Sequence, residues 1–162
     1  MPSWTSVNGR REWPLHLGWR SRDEILLDLR QRGIDLNAYA ALLFTRKTLW
    51  DPGGLVELTV RAVSVRDLGL PDGATYDAIL AALPQHNLAP CPILTAATLR
   101  LVYTDQPMGE QLTVVSEPLF DDPRYPDGLY LRRDERGTWL RGYRASADWI
   151  WPADGLLIVV SE

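Results

Sequence analysis

Cysteine occurs once, lysine once and histidine twice in this chain, and each scarcity removes a class of function. The lone Cys91 rules out an intramolecular disulfide framework and any structural zinc site built from several cysteines. It suits a reducing cytoplasm. Set between Pro90 and Pro92 in an apolar crossing, its thiol reads as a packed side chain rather than a nucleophile. Only His16 and His86 could accept a proton from a nucleophile, and no Gly-x-Ser-x-Gly turn is present, so Ser-His-Asp and Cys-His arrangements are poorly supplied. Both histidines read as solvent-facing or capping residues. Histidine pairs at helical or strand spacing are missing, as is a calcium-loop pattern, and the adjacent carboxylates of Asp121 and Asp122 are expected to point apart into water. Gly53-Gly54 and Gly69 are isolated turn glycines without the strand, glycine loop and helix order of a phosphate or dinucleotide site. No metal and no cofactor are expected.

Long apolar runs are also missing. No stretch approaches the roughly eighteen residues of a membrane span, and the first residues carry no apolar signal segment, so neither secretion nor membrane insertion is expected. Positive charge is not in excess: the formal net charge is -4, which argues against broad binding to phosphate backbones and disfavours nucleic acid as a partner. The sixteen arginines against the single Lys47 are scattered along the chain and read as the codon bias of a bacterial genome. What is there is an ordinary globular composition, 46% hydrophobic and 23% charged. A chain of 162 residues reads as a single domain, 1–162, with residues 1–20 as an N-terminal arm docked on the body through Trp4, Trp13 and Trp19.

Local patterns sketch the elements. Ser21 and Glu24 form a capping box before Arg22 to Arg32, and Gly33 stops that helix. Asn37 caps a second helix to about Arg46 with Ala40, Leu43 and Phe44 inward, and the two helices are expected to pack as a pair rather than as a DNA-reading helix-turn-helix. Leu55 to Leu68 reads as a strand whose alternation changes phase near Ala62, which suggests a bulge. A third helix starts near Thr75 with Tyr76, Ile79, Leu80 and Leu83 on one face, and Pro84 ends it. Thr98 to Thr104 alternates as a strand, Leu112 to Glu117 is another, and the apolar Leu156 to Val160 reads as a strand buried on both faces. The class is α+β: a strongly bent, mainly antiparallel sheet of barrel-like form, packed by two or three helices.

The richest stretch is Gly128 to Arg144, two alternating runs around Asp134-Glu135-Arg136-Gly137, read as a β-hairpin. Placing Arg133 opposite Thr138 puts Leu129, Leu131, Leu140 and Gly142 on one face. Tyr130, Arg132, Trp139, Arg141 and Tyr143 share the other, joined by Arg100 and Gln106 if their strand is adjacent. Guanidinium groups over aromatic rings can hold an anionic small ligand or a protein partner. The leading expectation is therefore a non-catalytic binding or interaction module of bacterial cytoplasmic type using that face, with an exposed edge strand able to support a homodimer. The alternative is a small hydrolase or transferase with a carboxylate site drawn from Asp105, Glu117 and Asp148, each near a strand end beside aromatics. A third reading uses the same aromatics to stack single-stranded nucleic acid.

Overall fold

The computed structural model describes all 162 residues as one mixed sheet with helices on both faces. In chain order the elements are β1 (Thr5–Val7), β2 (Arg10–Leu17), α1 (Arg22–Gln31), β3 (Asp35–Leu36), α2 (Ala38–Phe44), β4 (Val56–Ser64), α3 (Tyr76–Ala82), β5 (Leu88–Ala89), α4 (Leu94–Val102), β6 (Gln111–Val114), β7 (Gly128–Asp134), β8 (Gly137–Tyr143) and β9 (Leu156–Ser161). The strand path runs β1-β2-β4-β9-β6-β7-β8-β3, with β5 added beside β9. Its two ends, β1 and β3, do not meet, so the sheet is open rather than a closed barrel. Six pairings are antiparallel, but β6 with β9 and β3 with β8 are parallel.

Two hydrophobic cores flank the sheet. On one face α1, α2 and α4 cover Trp13, Leu15, Val60, Ala62, Leu112, Leu131, Leu140 and Ile158. On the other, α3 and Trp151 cover Val63, Val65, Tyr143, Leu157 and Val159. This explains the phase change in β4. Val60 to Ser64 pairs with Val160 to Leu156 without skipping a residue, so there is no bulge near Ala62. Instead the strand passes from one buried face to two, with Ala62 in the first core and Val63 in the second. The same double burial accounts for the apolar run of β9, as its sequence suggests.

Three other expectations change. Residues 1–20 are not an arm laid on the body: they build the β1-β2 hairpin, and Trp13 is fully buried because β2 is a sheet strand paired to β4. Thr98 to Thr104 is not a strand, because most of it lies in α4, which is buried around most of its circumference and so shows no clean helical stripe. The first two helices are not joined by a plain loop: β3 lies between them in the chain and enters the sheet beside β8, while both helices pack into the first core. The local punctuation holds closely. Ser21 and Glu24 form the capping box of α1, and Gly33 stands at φ +69° just past its end.

The Asn37 cap does more than cap. Its Oδ1 accepts from Ala40 N at 2.9 Å, as an N-cap should, and also from Gly142 N at 2.8 Å, while its Nδ2 donates to Gly142 O at 3.1 Å. The amide thus continues the β3–β8 pairing by one step beyond Leu36. Gly142 permits this approach: a Cβ there would stand 2.6 Å from Tyr39 Cβ and 2.9 Å from the Tyr39 carbonyl carbon. Both sheet ends are short strands, which limits edge pairing with other chains.

Candidate functional site

The hairpin folds in the register expected from its alternation. Arg133 faces Thr138, Leu131 faces Leu140 and Leu129 faces Gly142, with Glu135-Arg136 as the connection and Gly137 at φ +133°. Tyr130, Arg132, Trp139 and Arg141 share a face, and the Arg141 guanidinium lies 4.1 Å from the Trp139 ring centroid. These groups satisfy one another to a large degree. Trp139 Nε1 donates to Asp134 Oδ1 at 3.1 Å, Arg141 approaches Asp134 at 3.6 Å, and Arg132 donates to Gly109 O at 2.6 Å. Burial alone would push the Asp134 carboxyl up, yet bonds from Arg136 N and Trp139 and the nearby Arg141 and Arg132 charges hold it below the usual carboxylate range. All four side chains are half-buried.

Tyr143 belongs to the same strand face but not to the surface. It is buried in the second core, its hydroxyl 2.8 Å from that of Tyr76 and donating to Val114 O at 3.1 Å. Burial drives its hydroxyl pKa well up. The α3 layer and Trp151 cover this end of the strand, leaving only the end toward the hairpin tip near water. Arg100 and Gln106 do not join the face either. Arg100 lies on α4, against the opposite core, and is 2% exposed. It donates to Gln106 Oε1 and to Tyr103 O, both at 2.6 Å, and desolvation pulls its pKa down to about 10. An arginine facing inward is what broke the helical pattern of this segment.

The three candidate carboxylates do not form one site. Asp105 follows α4 near the Arg133 end of β7 and accepts from Ser3 N and Oγ. Glu117 and Asp148 follow β6 and β8 at the other end of the ladder, and both are exposed. None of the three lines the groove between β2, α1 and α4. Cys91 is buried in the first core, where desolvation pushes its thiol pKa far above the usual value. No group of three or more histidine, cysteine, aspartate or glutamate side chains is placed to hold a metal ion.

A groove of about 700 Å³ lies elsewhere, between β2, α1 and α4. Its aliphatic floor is Leu15, Ile25, Leu94 and Leu101. The rim is polar and aromatic: His16, Trp19, Arg20, Glu24, Glu57 and Thr98. The β2–β4 register sets His16 directly across from Glu57, and His16 Nδ1 lies 3.2 Å from Glu57 Oε1. Trp19 stands edge-on to His16, with ring centroids 6.0 Å apart, and is 63% exposed. An apolar floor with a few convergent polar groups, in a volume of roughly 300–1,000 Å³, is the usual anatomy of a small-molecule site.

The position of the groove follows from strand lengths. β1 pairs only with Arg10 to Glu12, so from Trp13 to Leu17 the outer edge of β2 has no strand beside it. Pro14 lies in this uncovered stretch, where a missing N–H costs nothing to the sheet. In the sequence His16 reads as a solvent-facing or capping histidine, because only the β2–β4 register, set by elements about forty residues apart, brings Glu57 to it.

Compared with protein-family models, with curated proteins and with solved structures, the chain matches none. No helix is long and apolar enough to cross a membrane.

Proposed function

We propose that this protein is a non-catalytic binding module that takes a small amphipathic ligand in the groove between β2, α1 and α4. The observation that carries the reading is the groove itself: about 700 Å³, with an aliphatic floor and a rim of His16, Trp19, Glu24, Glu57 and Thr98. Catalysis has less support. His16 and Glu57 keep 58% and 75% of their side-chain surface in water, and a general base that exposed gains little from its neighbour. The buried thiol and lack of disulfides suit a reducing compartment such as a bacterial cytoplasm.

The test is ligand-observed NMR with a library of small amphipathic fragments, comparing the native chain with Thr98→Trp. Thr98 is half-exposed on α4 and lines the groove, so an indole there would obstruct part of it. Fragment signals that vanish in Thr98→Trp, with the melting temperature retained, support the reading. Fragments that bind both chains equally, or none that binds, overturn it.

A second reading keeps the hairpin face as a docking surface for an acidic protein segment. It is favoured by Arg141, whose guanidinium is stacked on Trp139 and whose Nε has no hydrogen-bond partner. The stacked guanidinium occupies one face of the indole, which weakens single-stranded nucleic acid as an occupant.

A further inference from the structure

We infer that the groove selects an organic cation: a primary or quaternary ammonium carried on a short apolar chain. This rests on the groove being a ligand site, as proposed above, and names what it prefers.

The charges around the groove decide the preference. Its ionisable lining is His16, Arg20, Glu24 and Glu57. Arg20 is committed, its Nε 3.1 Å from Asp28 Oδ2 on α1. Glu24 spends part of its carboxylate on the capping box, accepting from Ser21 Oγ at 3.1 Å. Glu57 meets only His16, a partner that is cationic only when protonated. Glu24 and Glu57 are thus the two carboxylates of the lining, and its one permanent cation is already paired. An anionic head group would meet repulsion with no free guanidinium or ammonium to offset it, whereas a cationic one meets two carboxylates.

The apolar surroundings add a second, independent preference. Trp19 offers an exposed indole at the rim, and an ammonium over an indole is the strongest of the cation–aromatic pairings. An alkyl or aryl tail then lies on the aliphatic floor, where burial of apolar surface favours it without regard to charge. Head and tail are thus read by different groups. The tail decides whether a molecule enters, and the head decides which one stays.

Isothermal titration calorimetry at low ionic strength with n-octylamine hydrochloride, sodium n-octanoate and n-octanol tests this. The three share one tail and differ only in head-group charge. Octylammonium is expected to bind about tenfold more tightly than octanoate, with octanol between them. Glu57→Gln and Trp19→Ala, both at exposed positions, should each lower the ratio of octylammonium to octanol affinity several-fold, with the melting temperature unchanged. Octanoate binding as tightly as octylammonium overturns the cation preference, as does a Glu57→Gln chain that still discriminates fully. The two proposals fail differently: octanol and octylammonium binding equally leaves the groove as a ligand site and removes only the charge selection, whereas no binding by any of the three removes both.

Discussion

Asn37 is one residue on which two structural roles converge, and a short series of substitutions separates them. In the native chain its side chain caps α2 through Ala40 N and closes a two-bond pairing with the buried backbone of Gly142. Asn37→Ala removes all three bonds. Loss of an N-cap costs about 1 kcal/mol. Leaving a buried N–H and a buried C=O without partners costs about 1–3 kcal/mol each, less where water can enter. Asn37 itself is half-buried, so water reaches part of the site and the lower end applies, for a total of about 3 kcal/mol. Asn37→Ser keeps an oxygen for the cap but is too short to reach both Gly142 groups, so it should recover only about 1 kcal/mol of that loss. Urea unfolding monitored by tryptophan fluorescence reads the difference, since about 3 kcal/mol lowers the midpoint by roughly 1–2 M at ordinary slopes. Two results refute the reasoning: Asn37→Ser indistinguishable from the native chain, which would make the cap the whole effect, or Asn37→Ala costing under about 1 kcal/mol, which would mean that Gly142 never depended on the amide.

Two further predictions concern the scaffold. Gly142→Ala places a Cβ 2.6 Å from Tyr39 Cβ, so α2 must retreat from β8 by about 1 Å; the overpacking cost of about 1–3 kcal/mol outweighs the roughly 0.4–1 kcal/mol gained from a stiffer unfolded chain, and thermal melting should show a net loss. Asp67 is partly desolvated, which by itself raises its carboxyl pKa, but Arg10 and the Ser64 N–H and hydroxyl hold it below its ordinary 3.8. A depressed folded-state pKa gives stability that is complete above 3.8 and is lost as pH falls through the folded value, so Asp67→Asn should be less stable than the native chain at pH 7, and the gap in urea midpoints should narrow as pH falls below 3.8.

Elements governed by short-range chemistry were legible in the sequence. The capping box at Ser21, the Asn37 cap, the Thr75 start of α3 and the 128–144 hairpin register all follow from side-chain-to-backbone bonds or turn geometry spanning a few residues. Where a segment's environment came from far away, the pattern misled. Val56 to Ser64 changed phase because a second core lies behind it, and 98–104 alternated because Arg100 is turned inward onto carbonyls. The candidate site divides in the same way. The sharing of one face by Trp139, Arg141, Arg132 and Tyr130 is a period-2 property that sequence can show. The covering of Tyr143 by α3 and Trp151 depends on a helix more than sixty residues upstream, and nothing local records it.

The groove and the half-sealed hairpin face have a common cause in how far each flank of the sheet is covered. At the β8 end, β3 and the Asn37 amide continue the ladder as far as Gly142, and α2 seats directly on that glycine. At the β2 end, β1 pairs no further along β2 than Glu12, so no strand continues beside Trp13 to Leu17. There α1 and α4 have to close the first core alone, and they are side-chain surfaces that lie against a strand edge without pairing to it. Two helices meeting an unpaired edge leave a concavity whose floor is core side chains and whose rim is whatever the strand and helix ends carry. Here that rim is His16, Trp19, Glu24 and Glu57. Lengthening β1 by five residues would pair the free edge and occupy the groove from one side. The shortness of β1 is therefore the structural condition for the binding reading, just as β3 and Asn37 are the reason the ladder on the opposite flank stays covered as far as Gly142.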